Sequence, residues 1–242
     1  MRTKTGAAEL ELIVDNGAND PAPEGSETSP DLDVVTSAED TFPARPVGGV
    51  VKRAMDFALA LTTIVFLSPV LLFLWAGVRL SSSGPVIFRQ NRGGFAGRSF
   101  EIFKFRSMTV QENGPTVVQA TEGDVRVTRF GKFLRGTSLD ELPQLFNVLN
   151  GDMSLIGPRP HALAHDHAFA ARAPNYTRRQ HARPGITGLA QVWGCRGEIK
   201  TDDDLEQRLK HDIDYIERWS VRLDISILVR TVLVVPFDKR AY

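Results

Sequence analysis

Two adjacent acids, Asp140 and Glu141, are the residues of this chain best placed to do chemistry. They lie in the run TSLDELPQLFNVL, where leucines recur at helical spacing. Pro143 is expected in the first helical turn, where its missing N–H costs nothing, so the acids lie at a helix N-terminus. Ser138 and Glu141 also fit a capping box, and capping alone would explain the pair.

Cations elsewhere in the sequence suggest a second interpretation of the pair. Arg135 precedes it by five residues, and Arg159 is held between two prolines. Lys104 and Arg106 lie in KFRSM, at the end of a predicted strand. Carboxylates among cations indicate phosphate chemistry with a divalent metal, because carboxylates bind Mg²⁺ or attack phosphorus and arginines hold phosphate oxygens. Taken singly, each cation is better explained as a solvated surface charge.

Other catalytic motifs are missing from the sequence. There is no GxGxxG, Walker or GxSxG motif, which argues against dinucleotide binding, P-loop hydrolysis and α/β-hydrolase chemistry. His161, His165 and His167 lie close together but have no HExxH pattern, so we interpret them as surface or phosphate-side histidines. The single cysteine excludes an internal disulfide.

The net charge of zero conceals two oppositely charged parts of the 242-residue chain. Residues 1–50 hold ten acids and three bases, whereas the remainder holds nineteen acids and twenty-six bases. A basic body suits anionic partners such as phosphates, nucleotides, acidic lipids or nucleic acid. Residues 1–46, rich in Pro, Gly, Ser and acids, are predicted to be a disordered acidic tail.

One long uncharged segment, Phe57 to Val78, is predicted to enter a membrane. Its twenty-two residues contain no charge, and a segment of that length can cross a bilayer. Ser68-Pro69 falls in its middle, where proline kinks a helix. Basic residues flank both ends, with Lys52 and Arg53 before and Arg79 after. A kinked hairpin that returns to the same side and a straight span both remain open on these grounds.

The rest of the chain predicts an α+β fold that is mostly helical. Two short β-like runs, PVIFRQ and SFEIFKFRSM, are separated by the glycine turn at residues 93–97. Residues 111–125 are predicted to be a polar loop and residues 158–185 to be irregular. Apolar residues recur at helical spacing from Leu205 to Trp219, and Asp224–Pro236 predicts a core or membrane-interfacial helix.

Three segments, KFRSM, TSLDELPQLFNVLNGDMSLIGPRP and RPGITGLAQVWG, resemble those of the bacterial sugar transferases, also called monotopic phosphoglycosyl transferases. The resemblance covers about residues 46 to 242. It implies transfer of a sugar 1-phosphate from a UDP-sugar to undecaprenyl phosphate with release of UMP. Such a reaction begins the synthesis of exopolysaccharide, capsule or O-antigen.

The resemblance also implies roles for individual residues. Asp140 would be the nucleophile that forms a covalent phosphosugar intermediate, and Glu141 would bind Mg²⁺. Ser68-Pro69 matches the break of a re-entrant membrane helix, which favours the hairpin. The positions implied to bind phosphates or lipid headgroups are Lys104, Arg106, Arg135, Arg159 and Arg183.

Domains, location and partners follow from the same resemblance. It implies a tail at 1–46, a re-entrant hairpin at 47–84 and a cytoplasmic catalytic domain at 85–242, on the phospholipids of the bacterial inner membrane. The segment from Gly194 to Ser220, PRPHALAH and the terminal Ala241-Tyr242 favour UDP-glucose, with UDP-galactose as the alternative. A non-catalytic scaffold of polysaccharide assembly is a further alternative, nucleic acid is not expected as a partner, and a homo-oligomer is left open.

Overall fold

The computed structural model describes residues 42–109, 124–197 and 199–234. Helices dominate these residues, and two small two-stranded sheets complete the fold, which confirms the predicted α+β class. Residues 1–41 of the predicted tail, most of the predicted polar loop and the terminal Ala241-Tyr242 lie outside the described residues.

The predicted membrane segment lies within one helix, α1, Gly49–Ser81. Its 33 residues give a length of about 50 Å, and it is long and apolar enough to cross a membrane. Pro69 cannot donate to the carbonyl of Val65 four residues earlier. The hydroxyl of Ser68 donates to that carbonyl at 2.9 Å instead. The Ser-Pro pair therefore lies inside the helix. The carbonyl that loses its backbone donor accepts a side-chain hydrogen bond instead.

Both ends of α1 pack against the rest of the protein, whereas its middle is exposed. Near the start, Ala60 belongs to a core cluster with residues of later elements. Near the end, Leu74 and Val78 are buried in a second cluster. Between them, Phe66 is 81% exposed. An apolar helix held at both ends with a bare centre is compatible with a membrane-associated protein.

A β-hairpin follows α1. Strand β1, Ile87–Gly93, pairs antiparallel with β2, Ser99–Phe105, and the register runs from Ile87 opposite Phe105 to Gly93 opposite Ser99. The predicted glycine turn is confirmed, since a short 3-10 helix, Phe95–Gly97, joins the strands. The hairpin places the end of β2 next to the acid pair.

Three short helices surround the acid pair. Helix α2, Arg129–Gly136, is followed by a 3-10 helix, Leu139–Glu141, and by α3, Gln144–Asn150. Leu145 and Val148 of α3 pack in the cluster that contains Ala60. Leu142 and Leu149 pack against the same cluster, so the leucines at helical spacing face the core, whereas Phe146 is 44% exposed.

The region predicted to be irregular, residues 158–185, contains regular structure. Helix α4, Leu163–Arg172, and a 3-10 helix, Tyr176–His181, occupy much of it. Strand β3, Ser154–Ile156, pairs parallel with β4, Gly185–Thr187. One strand precedes the region and the other begins at its end. The prediction was wrong because these elements bury charged side chains, which hides the apolar periodicity.

The last part of the described chain is helical, as predicted. A short helix α5, Leu189–Val192, precedes α6, Asp202–Glu217, and α7, Val221–Val234. Thr201 and Asp204 form a capping box at the start of α6. Leu205 and Leu209 are buried, which confirms the helical spacing.

A buried ion pair fixes α1 to α7. The Lys52 ammonium lies 2.8 Å from the Asp224 carboxylate, and both side chains are almost fully buried. Asp224 also accepts hydrogen bonds from the Tyr215 hydroxyl at 2.8 Å and the Trp219 indole at 3.1 Å. One carboxylate thus joins the start of α1 to the last two helices.

Removing that carboxylate should destabilise the protein strongly. Asp224→Ala leaves the Lys52 ammonium buried with only Asp56 nearby, at 3.7 Å, and should cost about 3–5 kcal/mol. Thermal unfolding of the purified protein in detergent measures the loss. Glu217→Ala is the control, because it removes an exposed ion pair with Arg178, worth under about 1 kcal/mol. Equal midpoints for the two variants would contradict the role of Asp224.

Candidate active site

Of the two cations near the end of β2, one contacts the acid pair and the other does not. Lys104, near the end of β2, donates from Nζ to Oε1 of Glu141 at 2.9 Å. Arg106 is buried at 3% exposure, and its guanidinium donates to the carbonyls of Ser82 and Pro85. The structure therefore does not bring Arg106, which we predicted to bind phosphate, to the acid pair. Its side chain holds the loop after α1.

The backbone before the acids differs from the predicted capping box. Ser138 has φ 57° and ψ 18°, in the left-handed region, and its side chain makes no capping hydrogen bond. The amide of Glu141 donates to the Ser138 carbonyl instead, at 3.2 Å. A non-glycine residue in this region costs of order 1–3 kcal/mol. The strained turn directs the Glu141 side chain to cations rather than back to the helix end.

Glu141 is held by two cations from distant parts of the chain. Besides Lys104, the guanidinium of Arg159 contacts both carboxylate oxygens, Nη2 to Oε1 at 2.6 Å and Nη1 to Oε2 at 3.3 Å. Burial raises the pKa of Glu141, but the charges and hydrogen bonds of Arg159 and Lys104 outweigh it and hold this pKa well below its usual range. Glu141 is therefore ionised throughout the physiological range.

Asp140 has a different environment from its neighbour. Its side chain is buried at 8% exposure, and no group in the described ranges donates a hydrogen bond to its carboxylate. Burial and the charge of Glu141 raise its pKa to about 6, against the opposing effects of Lys104, Arg135 and Arg159. Because this pKa lies below neutral, Asp140 is mostly ionised at pH 7, and none of the described residues donates a hydrogen bond to it.

Of the remaining predicted cations, one lies near the acid pair and the other does not. Arg135, at the end of α2, lies close enough for its charge to lower the pKa of Asp140, and its Nη1 contacts the Met108 sulfur at 3.7 Å. Arg183 donates from Nε to the Gly151 carbonyl at 2.8 Å. Gly151 follows the C-terminus of α3, at the opposite end of that helix from the acids. Arg183 is thus not brought to the acid pair.

Sequence reasoning missed a second cation next to Arg159. Arg92, in β1, donates to the Pro160 carbonyl at 3.2 Å and to Gln90 at 2.5 Å. Burial and the charge of Arg159 lower the pKa of Arg92 to about 10, so it stays protonated at neutral pH. No local sequence pattern indicates this position, because Arg92 lies opposite Phe100 at the turn end of the hairpin, away from Lys104.

A buried network behind Arg159 was also missed. The Arg179 guanidinium donates to the Arg159 carbonyl at 2.6 Å and to the Asp212 carboxylate at 2.9 Å. The same guanidinium contacts the Tyr176 hydroxyl at 3.0 Å and Nδ1 of His161 at 2.9 Å. Arg179 therefore fixes the backbone that presents Arg159 to Glu141.

The histidine prediction was wrong for His161. This side chain is buried, and burial with the charges of Arg179 and Arg208 lowers its pKa well below the usual value. His161 is thus a neutral part of the network rather than a surface residue. Across the described ranges, no group of three or more His, Cys, Asp or Glu residues could hold a metal ion.

The charge balance of the cluster indicates its ligand. Two carboxylates, Asp140 and Glu141, face Lys104, Arg92, Arg135 and Arg159, an excess of positive charge. A partly buried cationic cluster of this kind can hold phosphate oxygens, and a carboxylate such as that of Asp140 can act as a nucleophile. The arrangement therefore suits chemistry on phosphate groups.

Comparison with known proteins gives the family. A family model described as Bacterial sugar transferase matches residues 47–238. The chain is 52% identical over 191 residues to a UDP-glucose:undecaprenyl-phosphate glucose-1-phosphate transferase of Caulobacter vibrioides, which is 79% of this chain and 72% of that protein. The chain belongs to the bacterial sugar transferase family, and the resemblance inferred from its motifs is confirmed.

Two further relatives are longer than this chain. A protein of the same name from Klebsiella pneumoniae is 48% identical over 200 residues, 83% of this chain but 43% of its own length. A UDP-N-acetylgalactosamine-undecaprenyl-phosphate N-acetylgalactosaminephosphotransferase of Aeromonas hydrophila is 43% identical over 187 residues, 77% of this chain and 44% of its own length. The chain thus spans less than half of these two proteins.

We predict that Arg179 positions Arg159 for a phosphate ligand. Arg179→Lys keeps a cation beside Asp212 but loses the planar donor to the Arg159 carbonyl. UDP binding, measured by calorimetry, should weaken about tenfold, which corresponds to about 1.4 kcal/mol.

The neighbouring Arg178→Lys is the matched control for this experiment. Arg178 is exposed and pairs with Glu217, so its variant should bind UDP as tightly as the unmodified protein. Equal affinities for the Arg179 and Arg178 variants would contradict the positioning role, provided that both give the same folded circular dichroism spectrum.

Proposed function

We propose that this protein transfers a hexose 1-phosphate from a UDP-sugar to undecaprenyl phosphate and releases UMP. One observation carries the proposal: Asp140 is a buried, ionised carboxylate without a hydrogen-bond donor among the described residues, beside Glu141, which Lys104 and Arg159 hold. The names of the relatives from Caulobacter vibrioides and Klebsiella pneumoniae support the same reaction.

The reaction proceeds in two displacements at one phosphorus atom. A carboxylate oxygen of Asp140 attacks the phosphorus that bears the sugar and forms an acyl phosphate, while the bond to the bridging oxygen breaks and UMP leaves. A phosphate oxygen of the lipid then attacks the same phosphorus and releases Asp140. Arg159, Lys104 and Arg92 bind the phosphate oxygens and stabilise their developing charge.

Magnesium is part of this proposal, with Glu141 as its protein ligand. Mg²⁺ in phosphate-transfer sites commonly takes one or two carboxylates, and substrate phosphates and water complete its octahedron. The acid pair fits that donor set, although both oxygens of Glu141 contact cations. Bound Mg²⁺ would screen the diphosphate charge and polarise its oxygens.

The sugar we propose is glucose. Proteins named as glucose-1-phosphate transferases are 48–52% identical to this chain in the species named above. The relative from Aeromonas hydrophila, named for N-acetylgalactosamine, is 43% identical. UDP-galactose remains the alternative donor that the sequence suggested. The product would serve exopolysaccharide, capsule or O-antigen synthesis, and a relative from Rhizobium leguminosarum is named an exopolysaccharide production protein.

We further propose that α1 enters the inner membrane from the cytoplasmic face and returns to it. Lys52 near its start and Val78 near its end both contact the same body of the protein. A body that holds both ends of the helix favours a re-entrant hairpin over a straight span, and the basic flanks favour the cytoplasmic side.

The nucleophile assignment predicts the effect of Asp140→Asn. Purified protein with UDP-glucose, undecaprenyl phosphate and Mg²⁺ should release UMP, and the variant should lose at least about 10³-fold of that rate because the amide cannot form the acyl phosphate. Asp203→Asn, the same substitution at an exposed position of α6, should leave the rate unchanged.

Two companion measurements complete this test. Sugar radiolabel from UDP-glucose should stay on denatured unmodified protein and be lost in Asp140→Asn. Glu141→Gln should mainly raise the Mg²⁺ concentration needed for half-maximal activity. Unchanged UMP release by Asp140→Asn would disprove the assignment of Asp140 as the nucleophile. If the unmodified protein released no UMP from UDP-glucose, UDP-galactose or UDP-N-acetylgalactosamine, a non-catalytic scaffold would be favoured.

The hairpin makes a separate prediction about topology. Reporters that are active on one side of the membrane only, fused at residue 45 and after residue 242, should both report the cytoplasm. A straight span requires opposite signals. Pro69→Leu, which restores the backbone donor to Val65, should shift part of the population towards opposite signals if the proline sustains the return of the helix.

A further inference from the structure

A groove of about 470 Å³ lies between α5, α6 and α7. None of the acid-pair cluster lines it. Its floor is apolar and its rim is polar and cationic. The floor is formed by Leu189, Leu223 and Ile227, and the rim includes Trp193, His211, Asp214, Arg218 and Arg230.

One exposed feature of the groove is a prearranged aromatic side chain. Trp193 is 57% exposed. Its ring stacks on His211 of α6, with 6.4 Å between the ring centroids and 4° between the planes. The guanidinium of Arg230, from α7, lies 4.8 Å from the Trp193 ring centroid. Contacts from two helices thus hold a large aromatic ring at the mouth of the groove.

The charge of the rim favours an anion. Asp214 is the only acid among the residues that line the groove, and it pairs with Arg218 at 3.2 Å. Arg230 forms no ion pair within the described ranges. The rim therefore presents one arginine without an ion-pair partner among the described residues, above an apolar floor.

The surroundings of the groove indicate a lipid. On α7, next to Arg230, the outward-facing Ile225, Val229 and Val232 are 53%, 53% and 71% exposed. The junction of α6 and α7 adjoins the start of α1, since the Trp219 ring lies against Gly48 and Asp224 pairs with Lys52. An apolar helix face beside the entry of a membrane helix is expected at the membrane interface, where tryptophan and arginine anchor.

We propose that this groove binds one anionic phospholipid. Arg230 and Arg218 hold the headgroup phosphate, Trp193 contacts the glycerol region, and the first methylenes of an acyl chain lie on Leu223 and Ile227. The proposal rests on the membrane placement in the proposed function and not on its transferase chemistry. The bound lipid would fix the orientation of α6 and α7 at the membrane surface.

The test counts lipids that the protein retains. Full-length protein in mild detergent is mixed with equal amounts of phosphatidylglycerol and phosphatidylcholine, and native mass spectrometry gives the stoichiometry. Unmodified protein should retain one phosphatidylglycerol in preference to phosphatidylcholine. Arg218→Gln with Arg230→Gln should lower that retention at least fivefold, and Trp193→Leu should lower it too.

Arg222→Gln is the matched control, because Arg222 is an exposed arginine of α7 that does not line the groove. It should retain the lipid, and Asp140→Asn, which cannot catalyse, should also retain it. Equal retention by the double variant, or an equal loss in Arg222→Gln, would overturn the proposal. Displacement of phosphatidylglycerol by equimolar undecaprenyl phosphate would also overturn it, by assigning the groove to the acceptor.

Discussion

The ion cluster around Glu141 is the interaction on which the site depends. Its partners lie 37 residues before it and 18 residues after it, so one carboxylate joins the hairpin, the strained turn and the proline-flanked loop. Breaking one partner of a buried, hydrogen-bonded pair is costly because the other charge stays desolvated. The cluster thus favours the packing of these three segments in which Glu141 pairs with both Lys104 and Arg159, and that packing also places Asp140.

Two further networks of buried, paired charges lie outside the cluster around Glu141. Arg179 and Asp212 connect α6 to the backbone of Arg159. Asp224 connects α7 and α6 to the start of α1 through Lys52. Charged groups are seldom buried without partners, and partners with fixed geometry specify orientation more sharply than apolar contacts do. The site and the membrane helix are therefore related to one another through α6, which contributes to both networks.

Periodicity in the sequence predicted the elements with clear apolar patterns: α1, the β-hairpin and α6. The prediction from periodicity failed where charged side chains are buried, as in and after α4. Residues such as Asp166 and Arg179 are expected at the surface from their type, but both are buried. Lys104 and Arg106 lie together at the end of the predicted strand, but β2 ends at Phe105 and Arg106 donates to the loop after α1. The contacts of Lys104 and Arg159 with Glu141 could not be predicted from a local pattern, because these residues are far apart in the sequence.

The structure adds a physical reason for the division of labour between the two acids. Adjacent in sequence, they are oppositely perturbed: cations hold the pKa of Glu141 low, whereas burial raises that of Asp140 to about 6. Environments that push two carboxyl pKa values apart assign them different roles. The acid kept ionised by fixed cations suits charge neutralisation and metal binding. The acid that is ionised at neutral pH, yet accepts no hydrogen bond from the described residues, suits attack on phosphorus. The left-handed Ser138 immediately precedes the 3-10 helix that carries both acids, so a strained turn lies next to the pair whose environments differ.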